Sequence, residues 1–316
     1  MQQRSHVPAL ARILGGVALA TVMLAALTAC GGDGGDNTPA TVSSMSLGAN
    51  AKYGKPILVT VNGTRLGNLS LTAPGCKNVT RLTTAPTASN DTTAYFNCTP
   101  SGAYTSSISA VTNGTTLTSQ TLTVPAPVVT MTVSGGGSGS VNGTIVFNLR
   151  GDKAPITVDN FLAYVNAGFY DGSDGKGATI FHRVVPGFVV QAGGYGAATS
   201  GTLPTPKTTL YAPIAIETTG GSNVQWTASM ARTSDPNSAT SQFFINLVNN
   251  ASTLDPIAGS SSGYAVFADV TASASTVQAI AAASPCPLLL SAGLPLGDGS
   301  CVPVPNVTIT SATQTQ

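Results

Sequence analysis

The stretch Phe181-His182-Arg183-Val184-Val185-Pro186-Gly187-Phe188-Val189-Val190-Gln191-Ala192-Gly193-Gly194 decides how the chain is read. Its β-branched and aromatic runs predict two strands, 179–184 and 188–191. Upstream, 130–133 and 144–149 pair around a Gly/Ser-rich turn, with Ile145, Phe147 and Leu149 on one face. Next, Val158, Phe161, Leu162 and Val165 fall at i, i+3, i+4 and i+7, an amphipathic helix with Thr157 as its cap and Gly168 as its stop. Downstream, 228–230, 243–247, 265–270 and 307–311 read as strands, and 275–283 as a second helix ending at Pro285. Many strands with two helices in about 190 residues describe a closed β-barrel with helical caps.

The whole chain has 316 residues, enough for about two domains. Apolar residues make up 42% and charged residues 8%, the reverse of a disordered composition even with 35 Gly and 20 Pro. A net charge of +1 removes the electrostatic footprint of a nucleic-acid binder. The only histidines are His6 and His182, so a multi-histidine metal site is excluded, and no metal or cofactor is expected.

Arg4 and Arg12 lead into an uncharged, mostly apolar run at 13–29, then Leu27-Thr28-Ala29-Cys30. A basic start, an apolar middle and small residues before the cut describe an export signal, 1–29. The last four residues resemble the bacterial lipoprotein box, which implies cleavage before Cys30 and lipid attachment to it. Residues 30–40 (CGGDGGDNTPA) form a flexible tether. Cys76, Cys98, Cys286 and Cys301 remain, and an oxidising compartment favours pairing them. Three connectivities are open, and buried free thiols are the alternative to all of them. The local one, Cys76–Cys98 with Cys286–Cys301, keeps each pair inside one domain.

Between 41 and 127, the Thr-, Val- and Ile-rich segments 56–61, 70–72, 93–98, 106–111 and 115–124 read as strands separated by turn signals at Asn62-Gly63, Pro74-Gly75, Ser101-Gly102 and Asn113-Gly114. This predicts a small Ig-like β-sandwich, although no Trp lies between Cys76 and Cys98. It has no His and reads as a spacer, with a partner-binding module as the alternative. Pro125-Ala126-Pro127 closes it, and 128–316 forms the second domain.

The opening stretch resembles the signature of cyclophilins, the peptidyl-prolyl cis–trans isomerases. Ala154-Pro155-Ile156-Thr157-Val158-Asp159-Asn160-Phe161-Leu162 and Gly168-Phe169-Tyr170-Asp171-Gly172 look like the family's first helix and the loop after it. Met230-Ala231-Arg232-Thr233, with the run from Asp235 to Gln242-Phe243-Phe244-Ile245, resembles its second signature in bacterial form. Gly263-Tyr264-Ala265-Val266-Phe267 resembles the strand before the last helix. The resemblance implies a mainly β fold: a closed antiparallel barrel capped by two helices, behind the sandwich.

By that resemblance Arg183, Phe188 and Gln191 are catalytic. Val189, Phe244 and Leu254 join Phe188 around the proline, and Gln191 orients the guanidinium. Gln242 lines the groove beside Tyr264, while Ala231 and Arg232 bind substrate backbone through main-chain groups. His182 belongs to the motif as a buried structural residue. The chain departs from the family pattern at Val189, where Met is common, and at Tyr264, where eukaryotic members have His. Thr253 replaces an aromatic, which weakens one pocket wall and implies poor cyclosporin binding. Cys286–Cys301 spans an insertion before the last strand.

The expected function is acceleration of X-Pro rotation in exported proteins. The alternative is a proline-peptide-binding or chaperone module with little catalysis on the same barrel. Expected partners are proline-containing polypeptides and a membrane, through the lipid anchor, with the protein itself a monomer. The expected location is the bacterial envelope, on the outer membrane facing the periplasm.

Overall fold

The computed structural model describes residues 38–101, 105–137, 140–197, 204–283, 285–287 and 299–316. The expected leader 1–29, Cys30 and the expected tether as far as residue 37 lie outside them. Pro39–Gln316 forms one compact unit.

The front of that unit holds seven strands: β1 (Thr41–Leu47), β2 (Ile57–Thr64), β3 (Ser70–Thr72), β4 (Cys76–Arg81), β5 (Thr93–Pro100), β6 (Thr105–Thr112) and β7 (Thr115–Thr123). They form two sheets, β1-β2-β5-β4 and β3-β6-β7. In order of appearance this is the ABED and CFG arrangement of a constant-type immunoglobulin domain. Alternation along β2 and β5 buries Val59, Val61, Ala94, Phe96 and Cys98, while Ile108 and Leu122 come from the other sheet. Cys76–Cys98 joins the neighbouring strands β4 and β5 within one sheet, whereas an antibody domain links its two sheets.

Nine further strands follow: β8 (Val128–Gly135), β9 (Val141–Leu149), β10 (Thr179–Val185), β11 (Val189–Gly196), β12 (Thr205–Pro206), β13 (Thr227–Met230), β14 (Phe243–Asn246), β15 (Val266–Asp269) and β16 (Thr308–Gln314). Their order is β10-β16-β8-β9-β15-β13-β14-β11-β12, and pairing of β10 with β11 closes eight of them into a barrel. Among the described residues three α-helices lie between them: α1 (Pro155–Asn166), the single turn α2 (Ala251–Leu254) and α3 (Ala274–Ala281). The expected two helical caps correspond to α1 and α3. The extra turn α2 has too few residues to carry a 3.6-residue apolar period.

Inward residues fill the barrel. Phe243 stands edge-on to Phe147, Phe161 and Tyr170, with ring centroids 5.4–5.7 Å away, and Phe161 of α1 lies 4.8 Å from Phe267. Thr157 is not the α1 cap. The helix begins earlier, with Ala154 as cap residue and Pro155 in the first turn, where its missing N–H costs nothing. The exposed donors are taken from a distance by Glu217, whose carboxylate accepts from Ile156 N (3.1 Å), Thr157 N (2.7 Å) and Thr157 Oγ1 (2.7 Å).

The front sheets rest on α1 and β16. Tyr53 is fully buried, its hydroxyl 3.5 Å from Pro155 O, and its own carbonyl accepts from Gln314 Nε2 at 2.9 Å. Lys55 Nζ donates to Asn166 Oδ1 (2.7 Å), and Lys77 pairs with Asp159 (2.9 Å). One apolar core runs from Met45 to Ala312 without a break.

Candidate active site

Period-2 alternation puts the inner and outer layers of the barrel wall on adjacent residues. Val184, Val190 and Phe243 join the main core, while their neighbours Val189 and Phe244 form a separate apolar cluster with Leu254, flanked by Val185, Phe188, Ala231 and Tyr264. On that outer layer Arg183 pairs with Gln191, and Gln191 with Phe244. Three strands thus bring a cation, an amide and a ring into one row, although 61 positions separate the first from the last in sequence. Directly opposed residues sit about 5 Å apart, within reach of contact.

The row opens on a cavity of about 320 Å³ lined by Arg183, Phe188, Val189, Gln191, Ala231, Arg232, Phe244, Leu254 and Tyr264. Phe188 leaves the β10–β11 turn, which closes with Phe188 N donating to Val185 O (3.0 Å). Pro186 and Gly187 (φ 72°) occupy the central positions of a type II turn. Its carbonyl then accepts from Leu247 N and Asn250 Nδ2, both 2.9 Å, which pins the ring in the wall. Phe244 and Tyr264 meet edge to face, 5.5 Å between centroids.

Arg183 is half-buried. Its Nη1 donates to Gln191 Oε1 (3.2 Å) and its Nε to Ser300 Oγ (3.1 Å). Gln191 Nε2 donates in turn to Gln242 Oε1 (2.9 Å). Gln242 therefore stands behind the cavity and steadies Gln191, outside the lining where the resemblance put it. It can lie there because residue 194 is glycine: a Cβ would come 2.5–2.8 Å from the end of the Gln242 side chain.

Arg232 is stacked 4.5 Å over the Tyr264 ring and donates to Gly263 O (2.9 Å) and Thr233 O (2.8 Å), so its side chain braces the rim. Ala231 N–H is used on Gln242 O (2.9 Å), which leaves the carbonyl as the main-chain group it can offer. Thr253 is exposed on α2 and does not line the cavity; Leu254 supplies that wall.

His182, 2% exposed, packs on Tyr195 at 4.7 Å. Burial, helped by the Arg183 charge, lowers its pKa to about 4 against the opposing hydrogen bonds of Ile180 and Gln242. Below the pocket, burial alone would raise the Asp255 carboxyl. Donation from Ser222 Oγ, Asn223 N and Asn223 Nδ2 outweighs it and holds the pKa below 3.8. Asn223 Nδ2 also reaches Leu254 O (3.2 Å) and Tyr264 O (3.4 Å), tying two cavity walls together. Sequence reading missed Asn223, Asp255, Asn250 and Ser300, which carry no local signal.

A family model, cyclophilin type peptidyl-prolyl cis-trans isomerase, matches residues 128–314. The chain belongs to the cyclophilin family. Peptidyl-prolyl cis-trans isomerase cyp18 of Streptomyces antibioticus is 46% identical over 145 residues, 44% of this chain and 77% of that protein. Peptidyl-prolyl cis-trans isomerase B of Escherichia coli is 42% identical over 133 residues, 41% of this chain and 73% of that protein. Among solved structures, a cyclophilin type isomerase of Cryptosporidium parvum, crystallised in the presence of the dipeptide Ala-Pro, aligns at a TM-score of 0.41 and 20% identity. That match covers 60% of this chain and 99% of the other. This cyclophilin is a peptidyl-prolyl cis–trans isomerase, and proline-containing peptides are its substrates.

Proposed function

We propose that this isomerase is held by a lipid on Cys30 at the outer membrane of a bacterial envelope, faces the periplasm and works as a monomer on exported proteins. We further propose that Arg183 is the group that lowers the rotational barrier. The observation that carries the second reading is the row Arg183, Gln191, Phe244 beside an apolar cavity.

Rotation about X-Pro is opposed by amide resonance, a barrier of about 18–20 kcal/mol. No bond breaks, so neither nucleophile nor proton carrier is required. What helps is a donor aimed at the prolyl nitrogen, whose lone pair leaves the amide as the bond twists, together with a slot that grips the ring. Each 1.4 kcal/mol removed is about tenfold in rate. Phe188, Val189, Phe244 and Leu254 offer the slot, and the rigid guanidinium fork of Arg183 offers the donor. The Gln191 bond restrains the guanidinium in advance, so less ordering remains to be done at the transition state.

Arg183→Ala in the whole chain is expected to lower kcat on a short Ala-Pro peptide by about a hundredfold or more, with peptide affinity largely kept. Turnover equal to wild type would remove Arg183 from the mechanism. For the anchor, radiolabelled palmitate should enter the wild type and not Cys30→Ala, and the variant should leave the membrane fraction; label in both would overturn the assignment.

The 41–127 region is best read as a spacer, and the export motif together with two disulfides supports the envelope setting.

A further inference from the structure

Resting on the reading of Arg183 as the donor, we propose that Ser300 is a positioning residue for it, held in place by the Cys286–Cys301 disulfide. Arg183 Nε donates to Ser300 Oγ at 3.1 Å while Nη1 donates to Gln191 Oε1 at 3.2 Å. Two bonds from two different nitrogens of a planar group restrain both its tilt and its rotation about the Cδ–Nε bond. Gln191 comes from the neighbouring strand of the barrel. Ser300, 1% exposed, arrives from the segment before β16.

That segment is anchored in four ways. Val184 N donates to Cys301 O (2.8 Å) and Cys301 N to Val184 O (2.9 Å), a single antiparallel bridge to β10 one residue from Arg183. Val302 N and Val304 N donate to Pro287 O (3.1 Å) and Pro285 O (2.8 Å), zipping residues 302–304 to 285–287. Cys286–Cys301 then locks the two arms covalently, Cα atoms 5.3 Å apart, one residue from Ser300. Val302 packs against Ile180 and Tyr195, which fixes the other side of the segment. The clip thus does more than fasten an external insertion: its base delivers a hydroxyl to the catalytic cation.

The test is kcat and KM on a short Ala-Pro peptide for the whole chain, wild type, Ser300→Ala, Ser300→Thr, the double variant Cys286→Ala/Cys301→Ala, and the triple combination. Ser300→Ala should lower kcat about tenfold with KM within about twofold, because a misaimed group acts on the transition state more than on binding. Ser300→Thr, which keeps the hydroxyl, should recover most of that loss. The double cysteine variant should lose kcat to a similar degree, and adding Ser300→Ala to it should cost little more, since both act through one contact.

Unchanged kcat in Ser300→Ala, while Arg183→Ala abolishes turnover, overturns the role of Ser300 and spares that of Arg183. Full turnover in Arg183→Ala overturns both. Additive losses from the serine and cysteine changes overturn the link to the disulfide.

Discussion

Gln191 accepts from Arg183 across the β10–β11 ladder at 3.2 Å and is itself held by Gln242 at 2.9 Å, so the guanidinium is steadied by a chain of two amides. Gln191→Ala should lower kcat about tenfold and leave KM nearly unchanged, as expected when a charge-assisted hydrogen bond is lost from a positioned group. Steady-state kinetics on a short Ala-Pro peptide check this, and a change in KM alone would show that Gln191 acts in binding.

Gly194 gives an independent handle on the same chain. Gly194→Ala places a methyl against the Gln242 amide, a flexible end that can move aside. The expected outcome is a fold with near-native stability and several-fold lower kcat, because Gln242 has left Gln191. Circular dichroism and kinetics together read this; unfolding would mean that the strand backbone, and not Gln242, gave way.

His182 sets a pH dependence of stability. Its folded pKa, about 4, lies below its unfolded value of 6.5, so the unfolded chain takes up a proton first as pH falls. Its stabilising contribution is whole above pH 6.5 and is lost as pH drops towards 4, by about 3 kcal/mol in all. Urea unfolding at pH 7.5 and 4.5 should show the loss in wild type and less of it in His182→Gln. Because bond rotation moves no proton, kcat/KM should be flat from about pH 6 to 9. A limb near pH 6.5 would mean His182 titrates normally.

Glu217 binds the start of α1 through three hydrogen bonds. Glu217→Ala should cost about 1–2 kcal/mol, the usual size for a lost helix cap. Its kcat should match wild type, since its hydrogen-bond partners Ile156 and Thr157 lie outside the cavity lining. Thermal unfolding and kinetics measured side by side decide the matter.

The barrel was legible because Ile145, Phe147 and Leu149 alternate in β9, because β-branched and aromatic runs mark β10, β11 and β14, and because Val158, Phe161, Leu162 and Val165 hold a clean helical period. Nine of the ten proposed site residues line the cavity, and Gln242 stands one layer further back. What stayed hidden has a common cause: it depends on side chains meeting across long separations. Glu217 supplies a cap 60 positions from Thr157, and no residue beside the helix announces it. Ser300 meets Arg183 across 117 positions, through a segment whose course periodicity does not describe. Strands β1 and β4 were missed because mostly polar residues with little burial leave no alternating signal.

The seat of Tyr53 on α1 and β16 has a consequence for anyone trimming the protein. Cutting away the front sheets to obtain a bare barrel would not remove an appendage; it would leave a greasy, water-exposed scar where that ring had been. A barrel shortened in this way should stick to itself, and poor behaviour of the fragment in solution would then be a wound of the dissection and no property of the isomerase.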